Sequence, residues 1–338
     1  MKIARRALLS GAILAGFMPL CAFAQEPVEL KLAWWLSGKG SEWTNVVDPW
    51  RQRVEAASGG TLKITPYVGG TLGRDPSAQM KMIEDGVADI AYPVPAYTPN
   101  RFPDSTIVDV PGTFNTSVEA STILWQLYED GMLRGFDGLK VLAIFGSPPF
   151  SLHSKQPTAS LADISGQKVV AVGKYAIASA EAFGATPVGL TVGEWTEALT
   201  RGVIDAIGAH PNLTKIVGAD QVAKHHYMIG LSNGHVILAM SQSKFDTLPD
   251  QAKAAIDQES GRILSELMGK NADTEAEETI ADWKKPDSGH VVTEPSDEDR
   301  ATMDGVFKQI AADWEAEDAK RSDILKRVAE LKSKMASE

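Results

Sequence analysis

The chain has one cysteine, Cys21, in 338 residues, and it lies inside an N-terminal apolar stretch. Beyond it there is no thiol to form a disulfide, hold a metal as thiolate or act as a nucleophile. Stability must come from a packed core. After residue 24 no apolar run approaches the ~20 residues that a membrane-spanning helix needs. Basic charge is also scarce: 33 Lys and Arg stand against 44 Asp and Glu, a formal net charge of −11. Nucleic acid is a poor partner for such a chain, because its binding depends on clustered cations that neutralise phosphates. No G-x-S-x-G turn, P-loop or G-x-G-x-x-G fingerprint occurs. Carboxylate pairs are plentiful, but they lie on charged helical stretches where solvation explains them, so catalysis is not expected. The six histidines (153, 210, 225, 226, 235 and 290) lack the i, i+4 spacing of a zinc site, and no resident metal or cofactor is expected.

What is present begins with a targeting pattern. Lys2, Arg5 and Arg6 precede the apolar run Ala7 to Leu20, and Ala22-Phe23-Ala24 forms an A-x-A site. Residues 1–24 read as an export signal. Cleavage before Gln25 leaves 314 residues (338 − 24), and losing three basic residues takes the charge from −11 to −14. Arg5-Arg6 also resembles a twin-arginine signal, but Ala4 stands where Ser or Thr is usual, and Sec export is favoured. Leu20 is too large to precede a lipoprotein cysteine. The expected product is a released periplasmic protein.

The rest alternates strand and helix patterns, which indicates an α/β fold. Val28 to Trp34 alternates like a strand. Trp43 to Ala57 carries Trp43, Val46, Val47, Trp50 and Val54 on one helical face and stops at Ser58-Gly59-Gly60. Strand patterns at Thr61 to Val68, Val87 to Tyr92 and Leu139 to Phe145 alternate with helical ones at Ser77 to Asp85 and Ser117 to Arg134. Such an order builds an open, mostly parallel sheet, whose ligands sit beyond the carboxyl ends of the strands. Leu248 to Trp283 and Pro295 to Ala336 read as two long charged helices, the last a solvated clamp across two lobes.

Leu161 to Pro211 is the most telling stretch. Gly166, Lys168, Gly184-Ala185, Pro187, Ala198-Leu199, Gly202 and Asp205 fall in an order similar to the patterns G-x-K-x-R, G-A-x-P and L-x-x-G-x-x-D-G. Upstream, GGTLKITPYVGGTLG, QMKMIEDGVADIAY and AYTPNRFPDSTIVDVPG resemble further motifs of the same set. Together they resemble the substrate-binding proteins of tripartite ATP-independent periplasmic (TRAP) transporters over nearly all of the mature chain. That resemblance implies a two-lobed periplasmic-binding-protein fold of type II-like form, with long C-terminal helices bridging the lobes. It implies a monomeric receptor that captures a small organic acid and delivers it to a permease of small and large membrane subunits. It also leaves open a calcium ion bridging the ligand, as some relatives use.

One departure matters. Where the resemblance implies a carboxylate-binding arginine, the chain has Val170, which has no donor. Lys174, at the start of a helix, and Arg101, between Pro99 and Pro103, are the candidate replacement cations. Their ordinary alternatives are a solvated helix lysine and a brace between lobes. Trp34 and Trp35 end the first strand, so one faces the cleft and the other the core. Tyr97, Phe102 and Phe150 lie on loops bordering the same cleft. His210 and Asn212 follow a strand, while Asn233 and His235 start the returning one; all four are candidate ligand donors or plain turn residues. Trp195 is expected to pack. The aromatic lining suits an organic acid with a ring, or a ligand that is not a carboxylate.

The expected lobes are residues 25–145 with 236–278, and 146–235 with 279–338. Two other readings remain at this level. One is an exported hydrolase or isomerase on a similar fold. The other is a receptor serving an ATP-driven importer or a sensor.

Overall fold

The computed structural model describes residues 26–98 and 100–337; the export signal expected at 1–24 lies outside them. In chain order the strands are β1 (Val28–Ala33), β2 (Leu62–Tyr67), β3 (Ile90–Ala91), β4 (Leu139–Gly146), β5 (Ser151–Ser154) and β6 (Lys168–Val170). They continue with β7 (Thr186–Val188), β8 (Ala206–Ala209), β9 (His225–Tyr227), β10 (His235–Ser241) and β11 (Val291–Thr293). Two mixed sheets result, ordered β2-β1-β3-β10-β4 and β11-β9-β5-β8-β6-β7, each flanked by helices. In the first, β1 runs parallel to β2 and β3, while β10 is antiparallel to β3 and β4. In the second, β6 is parallel to β7 and β8, and β5 is antiparallel to β8 and β9. The expected two-lobed α/β architecture is present.

The local rules behind the elements are visible. Leu30 and Leu32 alternate inward on β1 and are fully buried. The predicted face of Trp43, Val46, Val47, Trp50 and Val54 is buried as a unit, although Glu42–Val47 winds as a π-helix before the regular Asp48–Ala57 helix. Other expectations change. Each of the two long C-terminal helices is two. Leu248 to Trp283 divides into Asp250–Glu259 and Arg262–Trp283, because Gly261 takes φ 78° and packs against the Trp125 indole. A Cβ at Gly261 would lie 2.9 Å from that ring. Pro295 to Ala336 divides into Asp297–Ala316 and Arg321–Met335. Strand β5 was not anticipated, since Ser151, His153 and Ser154 are polar. All four of its residues are nevertheless buried, because β8 and β9 pair with it on both sides.

The lobes are joined by two antiparallel crossings, β4 into β5 and β9 into β10. The Ser147 N–H donates to Gly234 O at 2.8 Å, and the Phe150 N–H donates to Ser232 O at 2.7 Å. Gly234 is required there: a Cβ would stand 2.8 Å from the Phe150 ring. Two helices strap the lobes together. Arg262–Trp283 buries Leu264, Met268 and Ala272 in the first lobe and stacks Trp283 on His226 of the second. Asp297–Ala316 sets Met303 in the second lobe's core and Ile310 and Trp314 in the first's. Arg321–Met335 packs on the Ser117–Glu129 helix of the first lobe, where Ile324 and Val328 join that core.

Candidate functional site

Between the lobes lies a cavity of about 100 Å³. The first lobe contributes Trp35, Tyr92, Val94 and Tyr97 to its wall. The second contributes Val172, Trp195, His210 and Asn212, and Phe150 enters from the crossing. The wall is mostly aromatic and aliphatic, which suits a ring.

The two tryptophans at the end of β1 separate by strand alternation. Trp35 lines the cavity with its Nε1 fixed to Tyr92 O at 3.0 Å. Trp34 is buried in the first lobe's core and stacks on the Tyr92 ring, centroids 4.4 Å apart. Phe102 is also core. Tyr97 and Phe150 both reach the cavity, and the Phe150 ring lies 6.0 Å from that of His210. Burial pushes the Tyr97 hydroxyl up to about 12, and the nearby Val192 N–H does not complete a hydrogen bond to it. That hydroxyl is a donor waiting for an acceptor.

His210 stands in the wall as a neutral imidazole. Burial pushes its pKa down to about 4, so the ring is uncharged near neutrality. Its Nδ1 accepts the Leu213 N–H at 3.2 Å, capping the short Pro211–Ile216 helix. The same Nδ1 meets Asn212 Oδ1, so the ring proton sits on Nδ1 or on Nε2 according to how that amide is turned. Nε2 has no partner among the described residues.

The remaining candidates stand elsewhere. Arg101 pairs with Glu84 and donates to Gly135 O at 3.2 Å; it is a brace within the first lobe, outside the cavity wall. Lys174 pairs with Glu317 at 2.6 Å, with its side chain 65% exposed, and also lies outside the wall. Asn233 donates to Ser147 O at 3.0 Å and secures the crossing. Val170 is fully buried in one cluster with Trp195 and Leu199, whereas Val172, two residues on along the same face, reaches the cavity.

Sequence reasoning missed the acidic side of the wall. Glu42, in the π-helix, accepts the Tyr92 hydroxyl, and burial raises its pKa to about 7, with Tyr92 opposing and Glu275 adding to the rise. Asp109 lies 3.3 Å from His235 Nδ1, and burial raises its carboxyl against the pull of that histidine. Ser105 Oγ holds the other ring nitrogen at 2.8 Å. No lysine or arginine lines this cavity among the described residues. The only available signal for Glu42 was its position seven residues beyond Trp35, just before the first helical face.

Three of the six histidines, at 153, 226 and 290, form a hydrogen-bonded chain. His153 Nε2 donates to Ala209 O at 3.0 Å, His226 bridges His153 and His290 at 2.8 Å each, and Lys224 reaches His290 at 3.1 Å. Their nitrogens are occupied by one another. Among the described residues no group of three His, Cys, Asp or Glu is arranged to hold a metal ion.

The sequence pattern of the family described as bacterial extracellular solute-binding protein, family 7 (DctP), matches residues 36–318. The chain belongs to this family. Family 7 proteins are solute-binding receptors and not a family of enzymes. A marine metagenome TRAP solute-binding protein, specific for aromatic acid ligands and crystallised with 3-hydroxybenzoate, is 26% identical with a TM-score of 0.84. That match covers 92% of this family 7 chain and 99% of the other. A TRAP solute-binding protein from Rhodoferax ferrireducens, in complex with copurified benzoate, shares the fold at 22% identity and a TM-score of 0.83, covering 92% and 99%. A solute-binding protein of Verminephrobacter eiseniae is 26% identical over 209 residues, 60% of this chain and 62% of that protein. The chain thus spans a little under two thirds of that curated relative's length. No helix among the described residues is long and apolar enough to cross a membrane.

Proposed function

We propose that this family 7 protein is the periplasmic receptor of a TRAP transporter and captures a small aromatic organic acid in the cavity between its lobes. The observation that carries this reading is the wall itself: Trp35, Tyr92 and Tyr97 from one lobe face Phe150, Trp195 and His210 around a space the size of one substituted ring. The relative bound to 3-hydroxybenzoate supports the same ligand class.

Binding works by a population shift. A ring between the lobes touches both walls only when they are together, so its contact energy favours the closed form. The paired crossings at Ser147–Gly234 and Phe150–Ser232 supply the hinge. Nε2 of His210 and the hydroxyl of Tyr97 are free to meet the ligand's polar edge. Ser105, which meets His235 Nε2 at 2.8 Å while Asp109 meets Nδ1, is fully buried and outside the cavity wall, so its hydroxyl is not offered to a ligand, and the ligand leaves unchanged. The signal at 1–24 directs export and is removed, and the closed monomer docks on the permease's small and large membrane subunits. The lobes themselves divide near residues 146, 235 and 278, with the final helix, Arg321–Met335, returning to the first lobe.

Native mass spectrometry of protein purified without dialysis tests this reading. An intact aromatic acid released from the folded monomer is the expected result. Conversion of a supplied aromatic acid into another compound would make the protein an enzyme and overturn it.

A further inference from the structure

The inner cavity has a wall for a ring but none for an anion. Its acidic side chains are Glu42 and Asp109, beside the imidazoles of His210 and His235, without a lysine or arginine among the described residues. A carboxylate placed there meets two acidic groups and an uncharged His210. Lys174 and Arg101 are committed to Glu317 and Glu84 and lie outside the wall.

The cavity continues outward. Trp35, Leu36, Val192 and Ile216 line both it and a recess of about 480 Å³ at the mouth of the cleft. Arg74 is the single charged residue lining that recess. It follows the Gly69-Gly70 turn after β2, so its place is set by the first lobe, while Val192, Gly193 and Thr196 face it from the second. Arg74 has no hydrogen-bond or ion-pair partner among the described residues, and every other described arginine is paired with a carboxylate. The acids nearest in sequence or across the mouth are engaged. Asp75 accepts the Ser77 N–H and hydroxyl, and Glu194 accepts the Thr191 N–H and hydroxyl. The alternative cations, Lys39 and Lys215, line a different recess, where Glu275 and Glu278 balance them and Lys215 is paired with Asp282.

We propose that Arg74 holds the ligand's oxyanion at the cleft mouth, so that the site takes an aromatic ring joined by a short linker to a carboxylate or sulfonate. This rests on the receptor reading above and adds where the anionic end sits. The guanidinium presents two parallel donors to such a planar or trigonal oxyanion. Because the recess is open, the contact is screened by salt, unlike a buried clamp. The ring enters the aromatic cavity, and the anion remains beyond Glu42 and Asp109. Val170 can then be apolar without loss of anion recognition.

The test is calorimetric titration of wild type, Arg74→Ala and Arg74→Lys with three probes: 3-phenylpropionate, the corresponding sulfonate and the corresponding primary amide. Wild type is expected to bind both anions at least tenfold more tightly than the amide, with affinity falling as salt rises. Arg74→Ala is expected to lose about tenfold or more for the anions and little for the amide, with Arg74→Lys intermediate, because its charge remains but its fork does not. Equal affinity of wild type and Arg74→Ala for the anions overturns the proposal, as does wild-type binding of the amide equal to that of the acid. Loss of anion binding in Lys39→Ala but not in Arg74→Ala overturns it in favour of the other recess. Failure of wild type to bind any of the three removes the aromatic-acid reading on which the proposal stands.

Discussion

The hydroxyl of Tyr92 donates to the carboxyl of Glu42 at the wall of the inner cavity, tying the end of the first sheet to the π-helical turn. Burial holds Glu42 at about 7, above its usual 4.5. The folded state therefore keeps this proton more tightly than the unfolded chain. Glu42's contribution to stability is complete below pH 4.5 and is lost as pH rises through 7, a change on the order of 3 kcal/mol. Glu42→Gln remains neutral and should melt higher than wild type at pH 8, with the gap closing toward pH 5. Parallel melting curves for the two proteins across that range would contradict the assignment.

The imidazole of His226 lies flat on the indole of Trp283, centroids 3.6 Å apart and planes 6° from parallel. Burial lowers His153 to about 4, and burial with neighbouring positive groups lowers His226 to about 2. These histidines are neutral when folded and take up protons on unfolding below 6.5. Their contribution is complete above pH 6.5 and is lost as pH falls toward 4, opposite in sign to that of Glu42. Two such groups outweigh one carboxyl, so net stability should fall between pH 6.5 and 4.5. Imidazole NMR resonances of His153 and His226 should not titrate above pH 5; midpoints near 6.5 would show that the chain is not buried and neutral.

Adjacent tryptophans should separate affinity from stability. Trp34→Ala empties a core position beneath Tyr92 and should cost about 3–5 kcal/mol in denaturant unfolding. Trp35→Ala should unfold near wild type but bind an aromatic acid about tenfold to a hundredfold more weakly. The reverse pattern would place Trp34 in the site.

Lys174→Ala and Arg101→Ala should leave affinity within about twofold of wild type, since each side chain is committed to a carboxylate outside the cavity. The exposed Lys174–Glu317 pair should be worth no more than about 1 kcal/mol. A large loss of affinity in either variant would mean that the ion pair opens on binding.

The sequence disclosed the features that short-range physics controls. Alternation separated Trp34 from Trp35, the helical face of Trp43 to Val54 is buried as read, and the turn glycines marked the order of elements. It did not disclose what distant packing decides. Lys174 meets Glu317 across 143 residues, and Arg101 meets Glu84 only because a loop folds back on a helix. Glu42 sits in an ordinary polar stretch, and its buried partner Tyr92 is 50 residues away. Strand β5 was hidden because its polar residues gain partners from neighbours on both sides. Only its place at the cleft mouth without a carboxylate partner singles out Arg74.

The most direct measurement is a crystal structure of the purified protein saturated with an aromatic carboxylate. Ligand density is expected between the lobes, its ring against Trp35, Tyr97 and Phe150 and its carboxylate toward the mouth. An intact ligand bound outside that cavity, or a chemically altered one within it, would contradict a receptor that closes on its solute between two lobes.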